Sequence, residues 1–369
     1  MNRRTMLLAS ATALFTLSVA TSFAAPSARM QDKAPSLTLA VTMTNDAALN
    51  RIKVYDASTG ELLQTLSTNG AGGVSGNARG VRQLNGELFA AVNNGSNSVA
   101  IFSRKGDRLK FDKLVATTSA PVSVDFGNGH MYVANAATVD SFVLHGNSVG
   151  FLDGTTPLQL VGGALPPGGS TAQVGVVDEG TLLVTLKTDP VPGTVDVVAL
   201  HNGAIVSALP TAVSAPAGTL TPFGFAVYPD GTAIITLAHS DQDGLFRNGA
   251  FTSVIAAGQA APCWITRAGK YVFSANTGSR TVSRLLGSGN NIFVDALVAA
   301  TISGAGSPSD IDAAGNVLGV IDRGGGASHL SLFFINEFGE LSPIGNAIDL
   351  NTASANGVAI MSAFGADDD

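Results

Sequence analysis

One cysteine, Cys263, in 369 residues excludes an intrachain disulfide, a Cys-x-x-Cys centre and a Cys-x-x-Cys-His haem attachment. Charged residues are only 13% of the chain and the formal net charge is −7, so the basic footprint that nucleic-acid binding requires is missing. There are five histidines, and no two have the spacing of a metal pair such as His-x-His or His-Glu-x-x-His. No Gly-x-Ser-x-Gly elbow marks a hydrolase serine. Gly162-Gly163 and Gly168-Gly169 are no dinucleotide fingerprint, because the sequence after them does not read as a helix. Asp241-x-Asp243-Gly244 begins like a calcium loop but lacks the later ligands and the distal Glu. Nothing therefore calls for a metal or an organic cofactor. Past the first 24 residues no stretch reaches 18 apolar residues, so no membrane-spanning helix is expected.

What the chain has is alternation and turns. Apolar residues make up 45% and glycine contributes 43 residues. Ala261–Leu286 shows the unit best: an apolar run after Pro262, a Gly-Lys turn, the alternating Tyr271-Val272-Phe273-Ser274-Ala275-Asn276, a polar turn, and a further run from Thr281. Period-2 alternation punctuated by Gly, Asn and Ser predicts consecutive antiparallel strands. The 14-residue interval from Pro262 to Asn276 recurs between Arg79 and Asn93, Pro121 and Asn135, Gln173 and Lys187, and Pro308 and Asp322. Units open at Arg79, Pro121, Gln173, Pro222, Pro262 and Pro308, at steps of 40 to 52 residues. Such a period, with several strands per unit, predicts a β-propeller.

The first unit, from residue 36, lacks its opening strand, while Ala355-Asn356-Gly357-Val358 matches Ala78-Arg79-Gly80-Val81 and has no unit after it. The sequence therefore predicts an all-β, seven-bladed propeller over 36–362, with a C-terminal strand near 355–361 completing the first blade. Pro/Gly-rich stretches at 153–169 and 209–219 read as loops between blades. With one tryptophan, the chain does not match propellers that place a Trp in each blade.

Residues 1–24 read as an export signal: Arg3-Arg4, an apolar core over Met6–Ala20, and Ser22-Phe23-Ala24 as a cleavage site. Its removal takes away two arginines and no acid, moving the net charge from −7 to −9. The route is general secretion or, given the twin arginines, the Tat pathway. The expected location is periplasmic or extracellular. Residues 25–35 read as a linker and 363–369 as an acidic tail.

The motifs Asn93-Asn94-Gly95-Ser96-Asn97-Ser98-Val99 and Asn276-Thr277-Gly278-Ser279-Arg280-Thr281-Val282 resemble those of the lactonase-like seven-bladed propellers. That group includes 6-phosphogluconolactonases of the bacterial cycloisomerase type, fungal carboxymuconate-lactonising enzymes and YVTN-type surface repeats. The resemblance spans nearly all of 36–361. It implies either an enzyme acting on a lactone or small carboxylated molecule, or a non-catalytic envelope scaffold.

In a propeller the start of each first strand and the end of each second strand share one rim. That places Arg79, Gln173 and Asp310 beside Asn93, Asn135, Asn276, Lys187, His239, Asp322 and Arg323. The three asparagines serve the turn, which tolerates Asn, or contact a substrate. Lys187 and Asp322 replace the repeat's Asn, which marks a site or a rim salt bridge. His239 is a candidate general base or a polar turn residue. In the catalytic reading His239, Lys187 and Asp322 carry the chemistry: His239 or an unprotonated Lys187 activates water, and Asp322 or Asp310 orients the base. Arg79 or Arg323 holds a carboxylate or oxyanion, with Gln173 and the asparagines as further contacts. His130, His145 and His201 read as turn residues, His329 as packed, and Cys263 as a small buried apolar residue. The expected partner is a small-molecule substrate or an envelope protein. A closed ring has no edge that demands a second copy, so a monomer is expected.

Overall fold

The computed structural model describes residues 37–362 apart from 164, 190, 191, 289 and 305. The segments expected as export signal, linker and acidic tail lie outside the described residues. Seven antiparallel sheets succeed one another along the chain. Each begins with an inner strand: Val81–Leu84, Pro121–Gly127, Thr171–Asp178, Pro222–Val227, Pro262–Ala268 and Ser307–Ala314 open blades 2 to 7 in turn. Blade 1 holds Leu39–Met43, Arg51–Asp56 and Leu62–Ser67, and its inner strand is Asn356–Met361 from the far end of the chain. Leu39 pairs with Met361 and Val41 with Ala359, so the ring is closed by backbone hydrogen bonds between its two ends. Among the described residues there is no α-helix, only two single-turn 3₁₀ segments at Asn94–Ser96 and Ala238–Ser240.

The blades form where the alternation predicts them. Inner and second strands are buried on both faces, as in Pro121–Gly127 and His130–Asn135, because each sheet is sandwiched between two neighbours. Outer strands alternate, as in Arg108–Ala116, with Leu109 buried and Arg108 and Lys110 exposed. Five inner strands carry a bulge at their start, between Pro121 and Ser123, Thr171 and Gln173, Pro222 and Phe225, Pro262 and Trp264, and Pro308 and Asp310. Three of these begin with proline, which lacks the N–H a ladder needs and is tolerated at the first position of a strand, and in blade 7 Pro308 is the second residue.

Two expected loops are partly strand. Asp153–Pro157 belongs to the ten-residue outer strand Ser148–Pro157, and Thr211–Ser214 is part of the broken outer edge of blade 4. Thr155, Thr156, Thr211 and Val213 are β-branched and suit an outer strand, so local propensity prevails over the flanking proline and glycine.

Candidate functional site

The segment between blades 1 and 2 decides where a ligand can enter. Thr68–Gly80 contains glycine at 70, 72, 73, 76 and 80, and no run in it alternates. Asn45 holds its middle: its Nδ2 donates to the Val74 carbonyl at 2.8 Å, and its Oδ1 accepts from Gly73 and Val74 N–H at 2.8 and 3.0 Å. Beyond Val74 the strap crosses the end of the ring. Asn77 donates to Val122 O of blade 3 at 2.8 Å, and its carbonyl accepts Trp264 Nε1–H of blade 6 at 2.8 Å. Its side-chain oxygen accepts from Asn356 of blade 1 at 2.9 Å, and Ala78 N–H donates to Ala172 O of blade 4 at 3.0 Å. Two adjacent residues that bond to four of seven inner strands on opposite sides of a ring must lie on its axis. The mouth formed by the starts of the inner strands is therefore plugged.

Lys187 locks the plug from the side. Its Nζ donates to the carbonyls of Gly76 and, at 3.2 Å, Ser75, and stands 5.8 Å from the centre of the Phe223 ring. Burial pushes its ammonium down to about 8.

Arg79 hangs from the inner side of the plug. Its backbone is left-handed, at φ 55°, and its carbonyl accepts Val124 N–H at 3.0 Å. The guanidinium turns down the channel, 5.9 Å from the Phe225 ring centre and 3.4 Å from Asp125 Oδ2. Gly175, with no side chain, leaves room there: a Cβ on it would stand 2.7 Å from Phe225 and 3.3 Å from Arg79 Nη1. Arg82 extends the ionic chain, with Nε 2.8 Å from Asp125 Oδ1 and Nη1 3.2 Å from Asp312 Oδ1. Burial pushes Arg79 down to about 10, with Arg82 acting in the same direction against Asp125. Burial also lifts Asp312 above the usual carboxylate range, opposed first by Arg82.

Below this ionic chain a cavity of about 540 Å³ opens at the other mouth. Phe126, Val227, Arg267 and Ala313, near the ends of four inner strands, line it together with Arg79, Arg82, Asp125, Asp312 and Tyr228. Arg267 Nε donates to Val227 O at 2.9 Å and its Nη1 to Gly269 O at 2.8 Å. No carboxylate lies within ion-pair distance of Arg267 among the described residues. The lining thus carries three guanidinium groups against two carboxylates. The sequence reading places the pocket at the mouth where inner strands start; the structure opens it at the opposite mouth, because the strap occupies the first.

The residues singled out from sequence separate into groups. Asn93, Asn135 and Asn276 are buried and bonded within or beside their own blades. Asn93 accepts from Asn50 at 3.1 Å. Asn135 donates to Asp140 at 2.8 Å, and Asn276 to Ser283 at 2.8 Å. Gln173 and Asp310 stitch neighbouring blades. The Gln173 amide bonds both the N–H and the carbonyl of Phe225, and Asp310 Oδ2 accepts Val358 N–H at 3.1 Å. Burial lifts Asp310 to about 7. It lowers Arg323, while the charge of Asp310 acts to raise it. Asp322 is fully buried and accepts from Gly306 N–H at 3.0 Å, with His329 Nδ1 at 3.1 Å. His239 is exposed; its Nδ1 lies 2.9 Å from Asp189 Oδ2 and 3.0 Å from Thr221 Oγ1. His239 and Asp322 thus sit in different blades with different partners. Only Arg79 of the ten residues reaches the cavity lining. His130, expected in a turn, is buried at the start of a strand, its Nε2 2.8 Å from Asp153. The sequence reading passed over Arg82, Asp125, Asp312 and Arg267. Their signal is period 2 on an inner strand: Ser123 with Asp125 and Asp310 with Asp312 are alternate residues that face one side.

Among the described residues, no three His, Cys, Asp or Glu side chains are grouped to hold a metal ion, and no helix is long and apolar enough to cross a membrane. No family model matches the chain, and no curated protein matches its sequence. Solved structures do match its shape. A 6-phosphogluconolactonase-like protein of Bacteroides uniformis has a TM-score of 0.64 at 16% identity, over 88% of this chain and 100% of that one. Its counterpart from Bacteroides fragilis has a TM-score of 0.62 at 13% identity, over 89% and 99%. The virginiamycin B lyase of Staphylococcus aureus has a TM-score of 0.52 at 11% identity, over 75% and 89%. At such identities these likenesses establish the fold: this chain is a seven-bladed propeller of the shape shared by lactonase-like and lyase propellers.

Proposed function

We propose that the protein is an exported lactonase-like propeller that takes a small carboxylated molecule into its axial cavity and opens or closes a lactone there. The observation that carries this reading is the excess of guanidinium over carboxylate in a cavity with one plugged end. Arginine binds carboxylate in a fork, and a channel closed at one end limits the water that competes for it. Arg267, without an acidic partner, receives the ligand's carboxylate. Arg79 and Arg82 face the carbonyl oxygen as charge develops on it. Asp312, lifted by burial, takes the proton of an attacking water. The reverse direction uses the same groups. The Arg3-Arg4 leader supports export, and the 6-phosphogluconolactonase-like proteins of the same shape support the lactone class.

A second reading is a binding propeller without turnover. It is favoured by the fact that Asp125 and Asp312 each already hold arginine and a backbone N–H, of Val176 and Ile360 respectively. A pH-stat assay of the mature chain against sugar, aliphatic and muconate-type lactones, with calorimetry on the ring-opened acids, separates the two. Lactone hydrolysis predicts acid release that Asp312→Asn abolishes while acid binding persists, and an increase of at least ~10-fold in Kd for Arg267→Met. Binding without acid release selects the second reading. Neither binding nor release rejects both.

A further inference from the structure

We propose that the plugged mouth sets the affinity of the open one: Lys187, Asn77 and Trp264 are positioning residues that hold the strap so that Arg79 projects into the cavity. The proposal rests on the axial-cavity reading above and deepens it. Arg79 differs from the other cavity arginines in origin. Arg82 and Arg267 lie within inner strands, whose ladders fix them. Arg79 precedes its strand and belongs to the strap, and left-handed φ values at both Gly76 and Arg79 aim its side chain inward. A left-handed conformation in a non-glycine residue persists only where its surroundings hold it.

The surroundings that hold it are specific. Trp264 Nε1 and the Asn356 side chain fix Asn77 from two sides of the ring. Ala78 is fixed by Ala172, and Gly76 by Lys187. None of Lys187, Asn77 and Trp264 lines the cavity. They act on a ligand only through Arg79, whose other contacts are Asp125 at 3.4 Å and the Phe225 ring centre at 5.9 Å. Arg79 is then the specificity-determining cation, present when the strap is seated and withdrawn when it lifts.

The test uses the mature chain with D-gluconate as the probe anion. It compares wild type, Lys187→Met, Lys187→Arg, Arg79→Met, and the Lys187→Met/Arg79→Met pair. Losing one guanidinium contact by strap release is expected to raise Kd about 10-fold in Lys187→Met. Lys187→Arg, which keeps a cationic donor, restores binding. In the Arg79→Met background, Lys187→Met has no further effect, because its only route to the ligand is gone. Additive losses in the double variant, or unchanged binding in Lys187→Met, overturn the proposal. A crystal structure of Lys187→Met decides the same question without any ligand: the Arg79 guanidinium leaves Asp125 if the proposal holds and stays if it fails. Should the wild type bind no gluconate, the axial-cavity reading loses its support, while the position of Arg79 in that crystal still judges the coupling.

Discussion

Asp140 and Asp243 are both buried in third strands, of blades 3 and 5, and their surroundings differ. Asp140 accepts from Asn135 at 2.8 Å and from both the N–H and the hydroxyl of Thr118. In blade 5 the second strand ends at Leu237, which offers no amide, and Asp243 Oδ1 is buried with no partner among the described residues. Burial accordingly lifts Asp243 from 3.8 to about 7. Asp196, which takes the place of Asp140 in blade 4, is lifted to about 7 as well, by burial opposed by the Gln159 N–H. A carboxyl whose folded pKa is raised binds its proton more tightly in the native state. Its contribution is therefore complete below about pH 4 and is lost as pH rises through about 7. Melting of the wild type should fall across that window. Asp243→Asn carries no titrating group, so its melting temperature should gain on the wild type by a few degrees between pH 4.5 and 8. A difference that does not change with pH would contradict this account of Asp243.

At the scale of elements, two devices join what the blade repeat alone would leave separate. The first is the strap, whose hold on the ring passes through the only tryptophan. Trp264 stacks edge-on against Phe223 at 5.4 Å and donates its indole N–H to Asn77. Trp264→Phe keeps an aromatic ring and loses the donor, so urea unfolding should show a loss of about 1 kcal/mol. The second device is the set of inner-strand side chains that bond the next blade's backbone, namely Asp125, Gln173, Asp310 and Asp312. The sequence reading singled out Gln173 and Asp310 and passed over Asp125 and Asp312, though all four are polar positions in apolar strands. It cannot tell a stitch from a ligand contact, because both demand a polar side chain on the channel face. The strand-end asparagines show the same limit: their position was legible, but their partners Asn50, Asp140 and Ser283 come from other segments.

For the whole molecule, stability depends on joining residues near 39 to residues near 361. Arg104 of blade 2 strengthens that joint. Its side chain is almost wholly buried, and it donates to the carbonyls of Leu37, Met361 and Ser362, which belong to the two ends of the ring. Burial lowers its pKa against the attraction of Asp107. Arg104→Met takes this donor from the buried Met361 carbonyl and the half-buried carbonyls of Leu37 and Ser362, and should cost about 3 kcal/mol in denaturant unfolding. Deleting 356–362 removes the inner strand of blade 1 and exposes an edge; that chain should fail to fold as a soluble monomer.

The sequence by itself determined the number of blades, their order and the closing strand. Those features rest on alternation and on a repeat interval, which are local or periodic and need no knowledge of distant contacts. It also marked Arg79, Lys187 and the strand-end asparagines as places where the repeat is used or broken. Only the tertiary structure decided which mouth is open, because the strap between blades 1 and 2 has no repeat counterpart and its bonds reach across the ring to residues as distant as Trp264 and Asn356. The same closure placed Arg79, Arg82, Asp125, Asp312 and Arg267 around one cavity. A period fixes how each blade is made, while the chemistry of the axis belongs to the ring.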